Sequence, residues 1–343
     1  MTGLAGTLRK IGVGENMKRR RRKEQDRKDG RESAFHASSI TLPFRLENDA
    51  RQGYNPGVSL DERALRSLVE LLDDEDSRSL DLVRRRILET GTLILPYLED
   101  ARRTCAPAMS ERFEQMSEDV RFQDLRKDFL AFSAQRAPDL EEGCFLLSRF
   151  GHPNCDPAQY RAWLDRVAAS TAADIPAEAG AAESAKHLAV HLFQSLGFCG
   201  NEANYYDPDN SYLCRVIDTR RGIPVSLSCL YMLLAKRLRL PVYGVGTPGH
   251  FLLGYKEDGE PRFLDSFKRG KVLNLAEVRR MLVRNGYEYR AEYLRPCGAR
   301  EILARMMRNL LSIYQKTGAA TRAERLSTLV EIVLTGRAPE EAA

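Results

Sequence analysis

The sequence predicts an α+β fold, a small antiparallel sheet with a helix packed against it, set inside a mostly α-helical chain of 343 residues. Three observations predict it. Apolar residues recur at three- and four-residue steps over most of the chain, the spacing of helix faces. The segment 225–267 departs from this, following one apolar helical run with several short, strand-like ones. Two of those runs flank Asp258-Gly259, a dipeptide that favours the tight turn of a β-hairpin.

Composition narrows the class. Hydrophobic residues make up 43% and charged residues 29% of the chain, the balance of a soluble globular protein. No apolar run approaches the roughly 20 residues needed to span a bilayer, and the N-terminus lacks the apolar core of a secretory signal. A cytoplasmic protein with no membrane role is expected. The cysteines at 105, 144, 155, 199, 214, 229 and 297 are odd in number and form no CxxC, so reduced thiols are expected. Cys144, His152 and Cys155 lie close in sequence but lack a fourth zinc ligand at usable spacing. No metal and no cofactor are expected.

The net charge of +5 is unevenly placed: residues 1–32 hold 11 Lys/Arg against 5 Asp/Glu, and the rest holds 42 against 43. Residues 1–55 read as a basic, unfolded tail containing the unbroken run Lys18–Lys23. Such a run can bind phosphates by counterion release, making nucleic acid one candidate partner. A solvated tail is the plainer reading, because no aromatic or recognition motif accompanies the charge.

Residues 56–138 read as helical. Ser59 opens a capping box, and Leu60, Ala64, Leu65, Leu68, Val69 and Leu72 follow at helical spacing. A second helix carries Leu80 to Leu88 and ends at Gly91; a third runs from Ile94 to Ala101 with Pro96 in its first turn. Short helices joined by acidic turns suggest a HEAT-like array. Further helices are expected over 111–133, 140–150, 157–169 and 185–196, with a loop or helix start at 172–182. His187 and His191 stand four apart, as metal-binding histidines do. Leu188 occupies the place where a zinc peptidase puts its glutamate, so packed or surface histidines are expected. After the central segment come a helix over 273–283, a strand over 287–293, and helices over 299–314 and 321–334 around Gly318. This last pair, within residues 298–343, reads as a tetratricopeptide-style hairpin packed on the central domain.

The chemistry concentrates between Asn201 and Phe267. Pro224 suits the first turn of a helix, where its missing N–H would be unpaired anyway. Ser226 lies in that turn, where free amides and the helix dipole favour a developing anion. A cysteine there would be an activated nucleophile. A serine needs a well-placed base, and its other role is capping. Cys229 lies one turn deeper, with core packing as its plain role. With Asp258-Gly259 as the turn, His250 faces Phe267 and Asp265 is its diagonal neighbour on the same face, within reach of a His–Asp hydrogen bond. A capped helix, a His-bearing strand and an Asp-bearing strand follow one another in papain-like and transglutaminase-like sites. Arg220 and Arg221 are expected to pair with Asp207, Asp209 or Asp218, and Asn204 and Asn210 to cap turns.

These segments resemble the SirB-type transglutaminase-like family. The likeness runs through Gly200-Asn201, Tyr206-Asp207-Pro208, Asn210-Ser211, Arg221-Gly222-Ile223-Pro224 and Ser226-Leu227. It continues through Gly244-Val245-Gly246, Pro248-Gly249-His250-Phe251 and Asp265-Ser266-Phe267. The flanks agree in Asp139-Leu-Glu-Glu and in Ile302-Leu-Ala-Arg-Met with Asn309-Leu310. The resemblance implies a papain/transglutaminase-like core over 139–297, with His250 and Asp265 as the ancestral histidine and aspartate. It also implies that Ser226 is the serine this family commonly carries where the nucleophilic cysteine stood. Ser266 departs from the pattern, since proline usually follows the aspartate.

Three functions remain open on this reading. The first is a transglutaminase-like domain without its cysteine, acting by binding a protein or peptide partner. The second is an acyl-transfer or peptidase enzyme using Ser226 or Cys229, with His250 as base and Asp265 orienting it. The third is nucleic-acid association through Lys18–Lys23.

Overall fold

In the computed structural model, residues 62–73 and 77–337 are described; the basic tail with Lys18–Lys23 and the Ser59 cap lie outside them. Helices α1 (Glu62–Glu70), α2 (Ser77–Thr90), α3 (Leu95–Thr104) and α4 (Pro107–Ala134) come first. Pro96 and Pro107 sit in the first turns of α3 and α4, where a missing N–H costs nothing. Leu65, Val69, Ile87, Leu98, Met116 and Val120 gather these apolar stripes into one buried cluster.

Next come α5 (Leu140–Gly151), α6 (Pro157–Asp174) and α7 (Ala181–Ala189). The Asp139 carboxylate caps α5 by accepting the Glu141 amide at 2.7 Å, and Asp156 caps α6 by accepting that of Ala158 at 3.0 Å. After α7 the chain continues as a π-turn over Val190–Ser195. His191 there lies 3.3 Å from the Ser170 hydroxyl and 3.8 Å from Asp174. No group of three or more His, Cys, Asp or Glu among the described residues is placed to hold a metal ion.

The central region begins with β1 (Cys199–Gly200), which pairs in parallel with β2 (Arg221–Gly222) around the short helix α8 (Leu213–Thr219). Helix α9 (Pro224–Arg237) leads into four antiparallel strands in sequential order: β3 (Tyr243–Val245), β4 (Leu252–Glu257), β5 (Glu260–Asp265) and β6 (Lys271–Asn274). Glu257 pairs with Glu260, leaving Asp258 and Gly259 as a two-residue turn with φ of 51° and 83°. Both angles are positive, which is why Asp-Gly suits this turn.

Alternation along the strands divides the sheet between two helices. Leu253, Tyr255 and Leu264 join the core built around α9. Leu252, Phe263 and Leu273 pack instead with Val278, Met281 and Leu282 of α10 (Leu275–Arg284). The result is a small sheet between helices in a mostly helical chain, an α+β arrangement.

The strand expected over 287–293 does not form; a short 3-10 turn, Ala291–Leu294, stands there. The free edge of β3 is met by later residues, through a bridge from Val245 to Pro296 and a 2.9 Å bond from the Cys297 amide to the Gly244 carbonyl. Pro296 has no N–H to extend the ladder, so pairing stops. Helices α11 (Ala299–Thr317) and α12 (Ala320–Thr335) close the fold, each followed by a left-handed glycine, Gly318 and Gly336. Leu303, Met307, Leu310, Leu329 and Val333 belong to the same hydrophobic cluster as Cys229 and Leu264. This hairpin is therefore packed into the core that carries the site.

Candidate functional site

The start of α9 is sealed from solvent. Ser226 is 0% exposed. Its hydroxyl accepts the Ile223 amide at 3.1 Å and lies 2.6 Å from the Asn210 carbonyl, to which it donates. It thereby satisfies one of the orphan donors of the helix start and ties the helix to the preceding loop. None of its hydrogen bonds reaches His250. Cys229 is also fully buried, with its sulfur 3.5 Å from that of Met306. Burial, with the neighbouring Cys144 thiol adding to it, pushes the Cys229 pKa well above the ordinary thiol value. A thiol held neutral in this way is a poor nucleophile.

His250 is presented quite differently. It lies two residues before β4, after a turn at Thr247-Pro248-Gly249. Gly249 has φ of 71°, and a Cβ there would come within 3.2 Å of the Tyr287 ring, so glycine meets two demands at once. The His250 carbonyl accepts from the Thr247 hydroxyl and from the Arg305 guanidinium, both at 2.9 Å. Arg305 also donates to the Thr247 carbonyl. Desolvation lowers the Arg305 pKa from its usual value.

The imidazole meets Asp265 as the hairpin register requires, with Nε2 2.9 Å from Oδ2. The other carboxylate oxygen accepts the amides of Phe267 and Lys268, each at 3.1 Å. The carboxylate can only accept, so Nε2 is the donor of this pair, and Nδ1 is the ring nitrogen left outside it. The His250 side chain is 15% exposed, so the ring sits at the edge of solvent rather than in the core. Behind the pair, Ser228 and Ser266 share a buried hydroxyl–hydroxyl hydrogen bond of 3.0 Å. Ser266, which stands where proline was expected, thus links α9 to the loop after Asp265.

A cleft of about 870 Å³ opens beside His250 and Asp265. Pro224, not Ser226, is the contribution of α9 to its wall; Tyr205 and Phe267 form another part, and Lys271, Arg280 and Arg284 come from β6 and α10. The ion pairs expected of Arg220 and Arg221 are made by Arg215, which pairs with Asp209 at 2.9 Å and Asp218 at 3.3 Å. Arg220 instead ends α8 in a left-handed conformation with φ of 59°, and Arg221 turns toward Cys199. Asn210 does brace the loop, donating to the carbonyls of Asn204 at 2.7 Å and Tyr205 at 3.1 Å. Sequence reasoning did not single out Arg305, Thr247 or the cations of the cleft. Arg305 falls within Ile302-Leu-Ala-Arg-Met, but helical periodicity does not say which distant loop such a residue serves.

Residues 158–308 match the family model of the transglutaminase-like superfamily, so the His–Asp pair and α9 lie inside a transglutaminase-like domain. A UPF0162 protein of Xylella fastidiosa is 41% identical over 141 residues, covering 39% of this chain and 50% of that protein. A UPF0162 protein of Pseudomonas aeruginosa is 30% identical over 223 residues, 64% of this chain and 81% of the relative. The chain belongs to the UPF0162 family. Its match spans about half the length of the Xylella relative. Beyond the family, F-box only protein 21 of Mus musculus is 33% identical over 135 residues, 37% of this chain and 21% of that protein. No solved structure matches this UPF0162 protein.

Proposed function

We propose that this UPF0162 protein uses its transglutaminase-like domain to bind a protein or peptide, having kept the His–Asp pair of an acyl-transfer site without its nucleophile. One observation carries the reading: the Ser226 hydroxyl is fully buried and engaged with the backbone of Ile223 and Asn210, away from His250. Serine also ionises far too poorly to replace a thiolate without a base at hand. In this reading the protein is a cytoplasmic, SirB-type pseudoenzyme. Its first helices act as a HEAT-like interaction surface, and α11 and α12 as a tetratricopeptide-like one.

The His250–Asp265 pair favours a second reading, an acyl-transfer or peptidase enzyme. There Nδ1 of His250 would take the proton of Ser226 or Cys229 after a local rearrangement. Covalent labelling separates the two. Folded protein is treated with a fluorophosphonate and, separately, with iodoacetamide, and the adducts are mapped by peptide mass spectrometry. The binding reading expects no adduct at Ser226 and none at Cys229 until the protein is unfolded. Stoichiometric labelling of either residue in folded protein, lost in His250→Ala, would overturn it.

A further inference from the structure

We propose that the cleft beside His250 receives an acidic peptide segment. This inference rests on the binding reading above and adds the chemistry of the ligand. At about 870 Å³ the cleft is within the size range of ligand sites.

Its charges are unequally engaged. Asp265 is held by His250 and two backbone amides, and the Glu277 carboxylate accepts the Asn274 amide at 2.9 Å in a capping box. Lys268 pairs with Glu202 at 2.6 Å. Lys271, Arg280 and Arg284 have no ion-pair partner among the described residues, and all three are exposed. Arg280 and Arg284 lie one turn apart on α10, where like charges repel. A carboxylate between two guanidinium groups would relieve that repulsion and form charge-assisted hydrogen bonds to both. The cleft therefore offers three cations without an ion-pair partner among the described residues along one wall, with the His250 imidazole also lining it.

The aromatic residues argue for a peptide over a nucleic acid. Bases bind such grooves by stacking on open aromatic faces. Here Tyr205 meets Phe267 edge to face, with ring centroids 5.8 Å apart, and the Lys268 ammonium lies 5.5 Å from the Phe267 centroid. The Phe267 ring is thus already engaged by Tyr205 and by the Lys268 ammonium rather than held as a free stacking platform.

Fluorescence anisotropy on the full chain tests the proposal, using a fluorescein-tagged decamer of alternating Glu and Ala. All proteins carry serine at positions 18–23, which removes the other concentrated cationic segment. The acidic decamer is expected to bind, and to bind more weakly as salt rises. Arg280→Glu combined with Arg284→Glu should weaken binding at least about tenfold, because each acidic contact becomes a repulsion. The same charge change on α2, Arg84→Glu with Arg85→Glu, should leave binding within about twofold, since distant surface charges are screened. Thermal melts confirm that each variant folds. Equal losses in the two double variants, equal binding of a Gln-Ala decamer, or tighter binding of decathymidylate would each overturn the proposal. Mass spectrometry of the recovered decamer keeps it separate from the reading it rests on. Cleaved peptide would overturn binding without catalysis and leave the preference for acid standing. Intact, unbound peptide would overturn the acidic assignment alone.

Discussion

The first two turns of α9 and the turn before β4 carry the hydroxyl, thiol and imidazole groups that the sequence singles out, and the fold treats them in opposite ways. Ser226 and Cys229 are turned inward, one into backbone hydrogen bonds and the other against Met306. His250 is held at the edge of a cleft, with its carboxylate partner fixed by two amides. A hydroxyl or thiol has several uses in a folded chain, and the local backbone can claim it. An imidazole paired through one nitrogen has its second nitrogen left over. What distinguishes the two regions is therefore which atoms remain uncommitted, rather than which residue types are present.

The widest separation between the regions should appear in stability. Asp265→Ala leaves the imidazole and two backbone amides without their acceptor, and should cost about 3 kcal/mol in urea unfolding. His250→Ala removes the partner nearer to solvent and should cost about 1 kcal/mol. Equal costs would mean that Asp265 is not the anchor of the pair.

Reactivity gives the next largest contrast. A cysteine in place of Pro224 would face the cleft beside His250, whereas Ser226→Cys would place a thiol in the sealed capping position. Iodoacetamide should modify the thiol of Pro224→Cys at least about tenfold faster: Pro224 is itself buried, but it borders the cleft, and access from there is what Ser226 lacks. Comparable rates would show that the first turn of α9 opens in solution and would break the contrast.

The smallest effect concerns the support of His250. Arg305→Ala removes donors to the carbonyls of Thr247 and His250 and should speed hydrogen exchange in residues 247–251. Exchange in β5 should be unchanged, since its ladder is made elsewhere. Uniform acceleration across the sheet would show that Arg305 supports the whole core and not one turn.

Local rules explain what could be read from the chain. The hairpin was legible because Asp-Gly demands a particular turn, and a period of two then fixes which residues share a face. The positions of His250 and Asp265 followed from that register. Helix α9 was legible from its apolar run and from Pro224. The direction taken by the Ser226 hydroxyl was not, because a first-turn serine can serve a ligand or its own backbone at similar energy. Tyr287–Tyr293 is expected as a strand, yet it does not pair: a 3-10 turn forms at Ala291–Leu294, and the edge of β3 is met by Pro296 and Cys297. Arg305 lies 55 residues from His250 in the chain. No period connects them; only the packing of α11 into the central core does.

That packing makes the carboxyl-terminal hairpin mechanically continuous with the imidazole. The Arg305 guanidinium hangs from α11 and grips the two carbonyls that frame the turn before His250. A shift of α11 along its axis would act, through this guanidinium and its two hydrogen bonds, on the backbone that carries the ring. The hairpin is thus a handle on the site, and pulling on it would reorient His250 without touching the cleft.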